Sequence, residues 1–548
     1  MRSKEKRDNV KERQRRRFII RRCLWPPLLL ISAVIATRQW KSRPKDVAGL
    51  TPTDPPRQET TALRQRASKA DKDNLLSPVK VTPSGSFMEF RDAVATYGHV
   101  EKSLLELNRF LAFQIRGTLS RAPKPLARRL RTFSVTTRER VRFLLEEVKS
   151  LANQAGILKK KRGALLELKN KVRKLIEVNQ QQENCSSVLS CRLVNISGFS
   201  SVMHDVLWCL VRGVFLKRPV VVDSQPWRYD PYGWSRIFLP LTYKCPETPD
   251  RSSIWPGYRH DTKARGSILD IPDDIATELV GVHTDPYAWW FGQFMAYIMR
   301  PSLSLFDNLS ETKRNITFRS PIVGLHIRRT DKCVEAARHE VEEYMEHAEE
   351  YFDNIAGPVP RRIYVATEDP SVFQELRKKF PRYLFLGDEK VAKDAGNWGR
   401  RYSPSALQAV VKDIFLLSQC DLVVCTFSSG LCRVVYELMH ERRTDATSHI
   451  VSLDVDYFYA YVRFPPRRII YPHRQIASEE LRLREGDFVQ RVGDMSVVKE
   501  ARYKKFWDGY SVGGLQGTNF TGHFPSFKSV PQVRVSPNVN RNESLQRS

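Results

Sequence analysis

The sequence of 548 residues is 41% hydrophobic and carries 90 Lys and Arg against 61 Asp and Glu, a formal charge of +29. That length exceeds what one hydrophobic core serves, so several domains are expected, and core-forming material is ample. The charge excess is densest in the N-terminal "MRSKEKRDNVKERQRRR" and lacks the interleaved aromatics or motif that would focus it on nucleic acid, so that class of partner is not expected.

Residues 1–22 read as a cytoplasmic basic tail and "CLWPPLLLISAVIAT", 23–37, as a transmembrane signal anchor. The run is shorter than the ~20 apolar residues of a typical spanning helix, and Pro26 and Pro27 fit only its first turn. A cleaved signal peptide and a core helix beside a nuclear-type basic patch are the competing readings. Lys and Arg crowd the N-terminal flank and no A-x-A cleavage site follows, which favours an anchor with its N-terminus in the cytoplasm. Nine cysteines (Cys23, Cys185, Cys191, Cys209, Cys245, Cys333, Cys420, Cys425 and Cys432) and sequons at Asn184, Asn195, Asn308, Asn315, Asn519 and Asn542 suit an oxidising lumen.

Residues 38–85 are polar and proline-bearing, the composition of a flexible stem. Residues 86–182 are helix-forming. Over about 136–182, Val141, Leu144, Val148, Leu151, Ala155, Leu158, Leu165, Val172 and Ile176 follow 3-4 spacing, which predicts a coiled-coil seam and a homodimer. An intramolecular helical hairpin has the same pattern.

From 183 the texture becomes α/β. Residues 183–320 form a first α/β part, including strand "RPVVVDS" and the helix "HTDPYAWWFGQFMAYIMR". Residues 321–480 alternate strand and helix in the manner of a Rossmann-like parallel sheet: "IVGLHI", "RIYVAT", "YLFL" and "DLVVC" separated by helical patterns. Residues 483–530 give short strands between Gly and Asp turns, a small antiparallel barrel. A disordered tail, 531–548, completes the expected order.

Ligands of parallel sheets collect outside the carboxyl ends of the strands. "HIRR" lies at one such end. Arg offers a fork of donors suited to paired phosphate oxygens, and two successive arginines point to opposite sides, so one meets the ligand and the other braces the site. "CTFSSG" ends another strand and opens a helix, where backbone N–H groups and the helix dipole receive phosphate. The bland alternatives are ion pairing of the arginines with nearby carboxylates and a capping role for Ser428 and Ser429. No G-x-G-x-x-G or G-x-x-x-x-G-K-[ST] pattern is present, so a redox dinucleotide is not expected. A nucleotide sugar fits a lumenal site better.

The motifs "DSQPWRY", "HTDPYAWW", "VGLHIRRTDK", "EAARHEVEEYM", "ATEDPS", "VCTFSS" with "CRVVYE", and "WDGYS" with "FPSFK" resemble the α1,6-fucosyltransferases that add core fucose to N-glycans. The resemblance runs from about Cys185 to Val530 in the family's order. It implies a GT-B-like catalytic region with a C-terminal SH3-like barrel, in a single-pass type II protein of the Golgi membrane. It also implies an inverting enzyme that takes GDP-fucose as donor, needs no metal or other cofactor, and fucosylates O6 of the innermost GlcNAc of N-glycan acceptors.

Carried over residue by residue, Arg328 holds the diphosphate with Arg329 supporting it, and His326 and Asp413 contact guanine. Asp331, Tyr344, Asp369, Ser428 and Ser429 complete the donor site. Glu335 is the base, Lys332 and Arg328 stabilise charge on the leaving phosphate, and Asp285 and Asp454 lie on the acceptor side. The implied disulfides are Cys185–Cys245, Cys191–Cys209 and Cys425–Cys432. The chain departs from the family in four respects: one residue fewer between Lys332 and Glu335, Gly430 in place of Gln, Ser197 and Ser201 in place of a bridged cysteine pair, and Asn195 in place of Lys. "DVD", Asp454–Asp456, has the Asp-x-Asp spacing of metal-binding transferases, but three-residue patterns recur by chance, and it is assigned to glycan contact or structure. The rival reading is a catalytically inactive, membrane-tethered adaptor whose barrel binds proline-rich peptides through Trp507, Tyr510, Pro525 and Phe527.

Overall fold

The computed structural model describes residues 87–119, 122–193, 198–225, 227–245, 254–255, 270–330, 336–355, 357–397, 400–459, 466–491 and 510–536. The expected tail, anchor and stem lie outside them, as do Asp331, Lys332, Glu335, Asn195, Ser197 and Trp507. No helix among the described residues is long and apolar enough to cross a membrane. Contacts divide the chain after Phe90, and the packing described below concerns Arg91 onward.

Three helices come first: α1 (Phe87–Leu119), α2 (Lys124–Gln154) and α3 (Ile157–Gln180). The apolar repeat expected to run through 136–182 is split, because Gly156 takes a left-handed φ of 70° and turns α2 into α3. The two halves then differ in fate. Leu165, Val172 and Ile176 on α3 are at most 1% exposed, whereas Leu144 and Leu151 on α2 are 47% and 63% exposed. The α3 half of the seam is therefore consumed inside the chain, and the single dimer seam is corrected to an intramolecular packing of α3.

β1 (Leu189–Arg192), α4 (Phe199–Phe215), β2 (Val220–Asp223) and β3 (Ile254–Trp255) follow, the strands forming a parallel sheet in the order β2-β1-β3. Disulfides Cys185–Cys245 and Cys191–Cys209 tie this part together. Then come β4 (Asp270–Pro272), α5 (Asp273–Val282), α6 (Pro286–Ile298) and α7 (Leu303–Asn315). α3 packs on α5.

The second sheet is built from β5 (Ile322–Ile327), α8 (Val341–Asp353), β6 (Arg362–Thr367), α9 (Ser371–Lys379), β7 (Leu384–Leu386), α10 (Glu389–Gly396), α11 (Pro404–Leu417), β8 (Leu422–Cys425), α12 (Gly430–Arg443) and β9 (Ile450–Ser452). Its strands are all parallel, in the order β7-β6-β5-β8-β9. β5 is buried along its whole length, with Val323, Leu325 and Ile327 packed among Val341, Met345, Phe352, Phe373 and Leu376. Each such burial contributes about 1.5–3 kcal/mol. α6 lies against α12 at close range: a Cβ on Gly292 would stand 2.3 Å from the Glu437 carbonyl oxygen, so only glycine admits this approach.

β10 (Arg467–Ile469), β11 (Phe488–Arg491), β12 (Tyr510–Leu515), β13 (Thr521–Pro525) and β14 (Ser529–Pro531) form an antiparallel sheet in the order β13-β12-β11-β10-β14, closed over Ile469, Leu481, Leu483, Val489 and Phe524. It starts at Arg467, earlier than the expected boundary at 483. The expected tail is also corrected in part. β15 (Arg534–Ser536) pairs in parallel with β4, and its Arg534 holds Asp270 at 3.1 Å and donates its N–H to Tyr287 Oη at 2.9 Å.

Candidate active site

Strand order makes one point of the second sheet special. From β5 the chain moves to β6 and β7 on one side, then returns to β8 on the other, so β5 and β8 flank the switch point where open α/β sheets bind ligands. "HIRR" leaves β5 there and "TFSS" leaves β8.

The turn after β5 is held by a carboxylate that the sequence reading passed over. Glu368, one residue beyond β6 and 8% exposed, accepts at Oε1 from Arg329 N–H (2.7 Å), Thr330 N–H (2.9 Å) and Thr330 Oγ1 (3.1 Å). Arg329 is turned inward, its guanidinium 2.6 Å from Glu375 Oε2 and 3.3 Å from Glu340 Oε2. Arg328 is half-buried, and His326 is buried opposite Ala366 of β6. Asp369, the neighbour selected in "TEDP", accepts from Ser371 N–H at 3.0 Å and Ser371 Oγ at 2.6 Å and so shapes the start of α9. The signal that separates the two carboxylates is the following "PS": Asp-Pro-Ser is a helix start, which leaves Glu368 available to the turn.

Beyond β8, Ser429 caps α12 in extended geometry, is fully buried, and its Oγ has no hydrogen-bond partner among the described residues. Disulfide Cys425–Cys432 spans this turn. Asp454, also fully buried, accepts at Oδ1 from Val455 N–H (2.8 Å), Ser452 Oγ (3.1 Å) and Ser428 N–H (3.3 Å). Phe427 N–H donates to Ser452 Oγ at 3.0 Å. Asp454 thus ties the "TFSS" turn to the end of β9. The turns after β5 and β8 are brought side by side by their strands, each with a carboxylate fastening its backbone.

The remaining candidates lie further from the switch point or in the core. Asp413, on α11, accepts from Tyr364 Oη at 2.6 Å, and burial pushes its carboxyl up to about 7 although that hydrogen bond opposes the shift. Tyr344 is 2% exposed within the core under β5, beside the His339 ring. Burial raises its phenol strongly, with the Asp454 charge adding to the effect. Asp285 precedes α6 without capping it, accepting instead from Tyr436 Oη at 3.2 Å, and burial raises its carboxyl. It lines a cavity of about 150 Å³ with Glu106, Arg109, Phe427, Tyr457 and Arg467.

One cluster has the outline of a metal centre. His283, His440 and Asp445 place their ligand atoms within 4.8 Å of one another. The ring hydrogen bonds argue against that role. Nδ1 of His283 accepts from Asp285 N–H (2.9 Å) and Nδ1 of His440 from Ala446 N–H (3.2 Å), so each Nδ1 is already engaged and a neutral ring carries its proton on Nε2. Asp445 is satisfied otherwise, by Lys161 Nζ at 2.6 Å and His283 Nε2 at 3.3 Å. Burial alone would raise the Asp445 carboxyl, but its His283 and Lys161 neighbours outweigh that effect and hold it well below the usual range.

Residues 58–459 match the family described as alpha-(1,6)-fucosyltransferase N- and catalytic domains. The chain is 34% identical to the alpha-(1,6)-fucosyltransferase of Drosophila melanogaster over 414 residues, covering 72% of this chain and 65% of that one. It is 32% identical to the alpha-(1,6)-fucosyltransferase of Caenorhabditis elegans over 436 residues, 73% of this chain and 76% of that one. The alignment thus spans just under two thirds of the fly relative's length. Solved structures align only loosely: NodZ alpha-1,6-fucosyltransferase co-crystallized with GDP covers 45% of this chain and 91% of its own at 14% identity and a TM-score of 0.29, too low to carry an argument. The match to the family extends over most of the chain, and by that measure the protein belongs to the alpha-(1,6)-fucosyltransferase family.

Proposed function

We propose that this protein transfers fucose from GDP-fucose to O6 of the innermost GlcNAc of N-glycans, with inversion at the fucose anomeric carbon. The observation that carries the reading is the switch point itself: the Arg328–Thr330 turn fastened by Glu368, beside the buried Ser429 at the start of α12. Such a pairing suits a diphosphate, with Arg328 gripping its oxygens and Ser429 donating from the helix start. Arg329, committed to Glu340 and Glu375, braces the turn.

In this reading His326 and Asp413 receive the guanine, whose ring N–H and amino group form two parallel donors suited to a carboxylate. Glu335 removes the proton from the acceptor hydroxyl as the bond from fucose to phosphate breaks. Lys332 and Arg328 offset the charge gathering on the departing GDP, which is why no metal is assigned to the step. Asp285, with the cavity it lines, belongs to the acceptor side, while Asp454 serves that side by holding the "TFSS" turn. The antiparallel C-terminal sheet is the SH3-like barrel. The anchor at 23–37 would make the chain a single-pass type II protein of the Golgi membrane, a setting in keeping with three disulfides, and the N-terminal helices would support a homodimer.

The test is incubation of the purified protein with GDP-fucose and a GlcNAc-terminated biantennary N-glycan in the presence of EDTA. The expected outcome is release of GDP with formation of α1,6-fucosylated glycan at an undiminished rate. GDP-fucose left intact with every acceptor would overturn the reading.

A further inference from the structure

α7 carries two of the N-x-S/T sequons, Asn308-Leu309-Ser310 and Asn315-Ile316-Thr317. A spacing of seven residues is two helical turns, so the two asparagines stand on one face, about 10 Å apart along the axis. Leu305 and Leu309, which seat the helix, are 4% and 7% exposed. Asn308 and Asn315 are both exposed, and their side-chain amides make no hydrogen bond among the described residues. Asn184 is built in differently. Its Oδ1 accepts from Ser186 N–H at 3.0 Å and Ser186 Oγ at 2.6 Å, and the residue between them, Cys185, is bridged to Cys245. That sequon is closed on itself at a disulfide, whereas the two on α7 are open.

We propose that Asn308 and Asn315 carry N-linked glycans, which make one face of α7 a sugar-covered surface, and that Asn184 carries none. The donor for this modification is a lipid-linked diphospho-oligosaccharide. A bond forms from the asparagine Nδ2 to the anomeric carbon of the first sugar, and the bond from that carbon to the diphosphate oxygen breaks. Nδ2 gives up one proton to a base of the transferring enzyme, and the lipid diphosphate leaves with the electron pair of the broken bond. The modification rests on the lumenal reading above, since it is in the lumen that a secretory chain meets this donor.

The place of α7 in the fold suits such a surface. Its last turn lies on the entry side of the second sheet: Lys313 donates to Gln419 just ahead of β8, and Asn315 precedes Ile322, the first residue of β5, by seven positions. The turn assigned to the donor leaves the other end of β5, about 17 Å further along the strand. A glycan on Asn315 therefore has the depth of the sheet between it and the switch point, and it leaves that end open. α7 also shows Leu303 and Phe306 to solvent, 81% and 57% exposed. Bulky hydrated groups on the same helix keep such apolar side chains from associating with other molecules.

The test is expression of the full chain in a cell that N-glycosylates its secretory proteins, followed by peptide-N-glycosidase in heavy-oxygen water, which converts each glycosylated asparagine to a mass-labelled aspartate. Label is expected at 308 and 315 and not at 184, and Asn308→Gln and Asn315→Gln should each remove one glycan's worth of mass from the intact chain. Thiol alkylation of the same sample separates the two readings. If Cys185 and Cys245 are bridged while 308 and 315 stay unlabelled, the chain has reached an oxidising compartment and the glycan proposal fails alone. If those thiols are free and no position is labelled, the lumenal reading fails with it. Label at only one of 308 and 315 would remove the two-glycan face, and label at 184 would show that a closed sequon is no barrier; either overturns the assignment. As a second measurement, the double variant Asn308→Gln with Asn315→Gln should transfer fucose at the parental rate and aggregate at lower concentration than the parent. A transfer rate lowered about tenfold or more would put α7 at the reacting end of the sheet and count against the placement.

Discussion

Arg328 and Arg329 are neighbours in sequence and opposites in use. Arg329 is buried between Glu340 and Glu375, which match its charge, and Arg328 is half-buried at the switch point. Arg328→Lys keeps the charge and removes the fork, and loss of a preorganised contact to the leaving phosphate should lower turnover by roughly 10²–10³. Single-turnover transfer from GDP-fucose measures this, and near-normal rates would move the donor contact to another residue. Asp413 gives a prediction with a pH signature. Its carboxyl titrates at about 7 in the fold because burial outweighs the Tyr364 hydrogen bond and the nearby Lys412 charge, whereas an unfolded Asp titrates near ~3.9. The native state thus binds a proton more readily than the unfolded state between these values, so this residue's contribution to stability declines as pH rises from 4 to 7. In the proposed reading guanine pairs with the ionised form, so GDP affinity should rise with pH through about 7. Asp413→Asn should bind GDP weakly with no such rise, and it should gain thermal stability relative to the parent as pH goes from 5 to 8. A parent GDP affinity that is flat across this range would separate Asp413 from the donor site.

The elements were more legible in the sequence than their partners. An apolar run as short as "IVGLHI", rich in β-branched residues, reads as a strand buried on both faces, and the capping box of Glu340 and Glu343 at the start of α8 is local chemistry. Gly156 and Gly163 read in the sequence only as local weak points of the seam, because a glycine inside a helical period leaves the period intact, and it is the φ of 70° at Gly156 that turns the chain. Glu368 was missed for a related reason: two adjacent carboxylates look alike until the turn they fasten, 38 residues away, is placed beside them. Gly430 is a case where sequence flagged a change and packing explains it. A Cβ at 430 would stand 3.0 Å from Ser200 Cβ, so Ser200 must give by a few tenths of an ångström to admit it. Gly430→Gln, the side chain that the family resemblance implies at this position, should therefore destabilise the protein by about 1–3 kcal/mol through overpacking. Ser200→Gly should recover much of that loss when combined with it. Denaturant unfolding of the two single variants and the double variant decides the matter, since additive effects would mean that the two positions do not meet.

At the scale of the molecule, α3 is tied into the part of the chain that carries the switch point. α3 is fastened to the end of α12 by Lys161 to Asp445 at 2.6 Å and Lys169 to Glu441 at 2.7 Å, and to α5 by Lys171 to Asp274 at 2.8 Å. α12 is the helix whose other end carries Ser429 and the disulfide at Cys432, so one rigid element runs from the α3 contact to the switch point. Of these pairs only Lys161 with Asp445 is largely withdrawn from solvent, at 9% and 19% side-chain exposure, and exposed pairs contribute little. Lys161→Met removes the ammonium and leaves a buried carboxylate facing two imidazole rings, a change that should lower stability by about 3 kcal/mol. The carboxyl of Asp445 is held far below its unfolded value, so the contribution is present above about pH 4 and fades as pH falls below it. The gap between parent and Lys161→Met should narrow accordingly on acidification. Lys161→Met combined with Asp445→Asn removes the uncompensated charge and should restore most of the loss. Because the affected contact sits at the far end of α12, Lys161→Met should also raise the KM for GDP-fucose more than it lowers kcat. Stability and KM that both match the parent would show that α3 merely rests on α12.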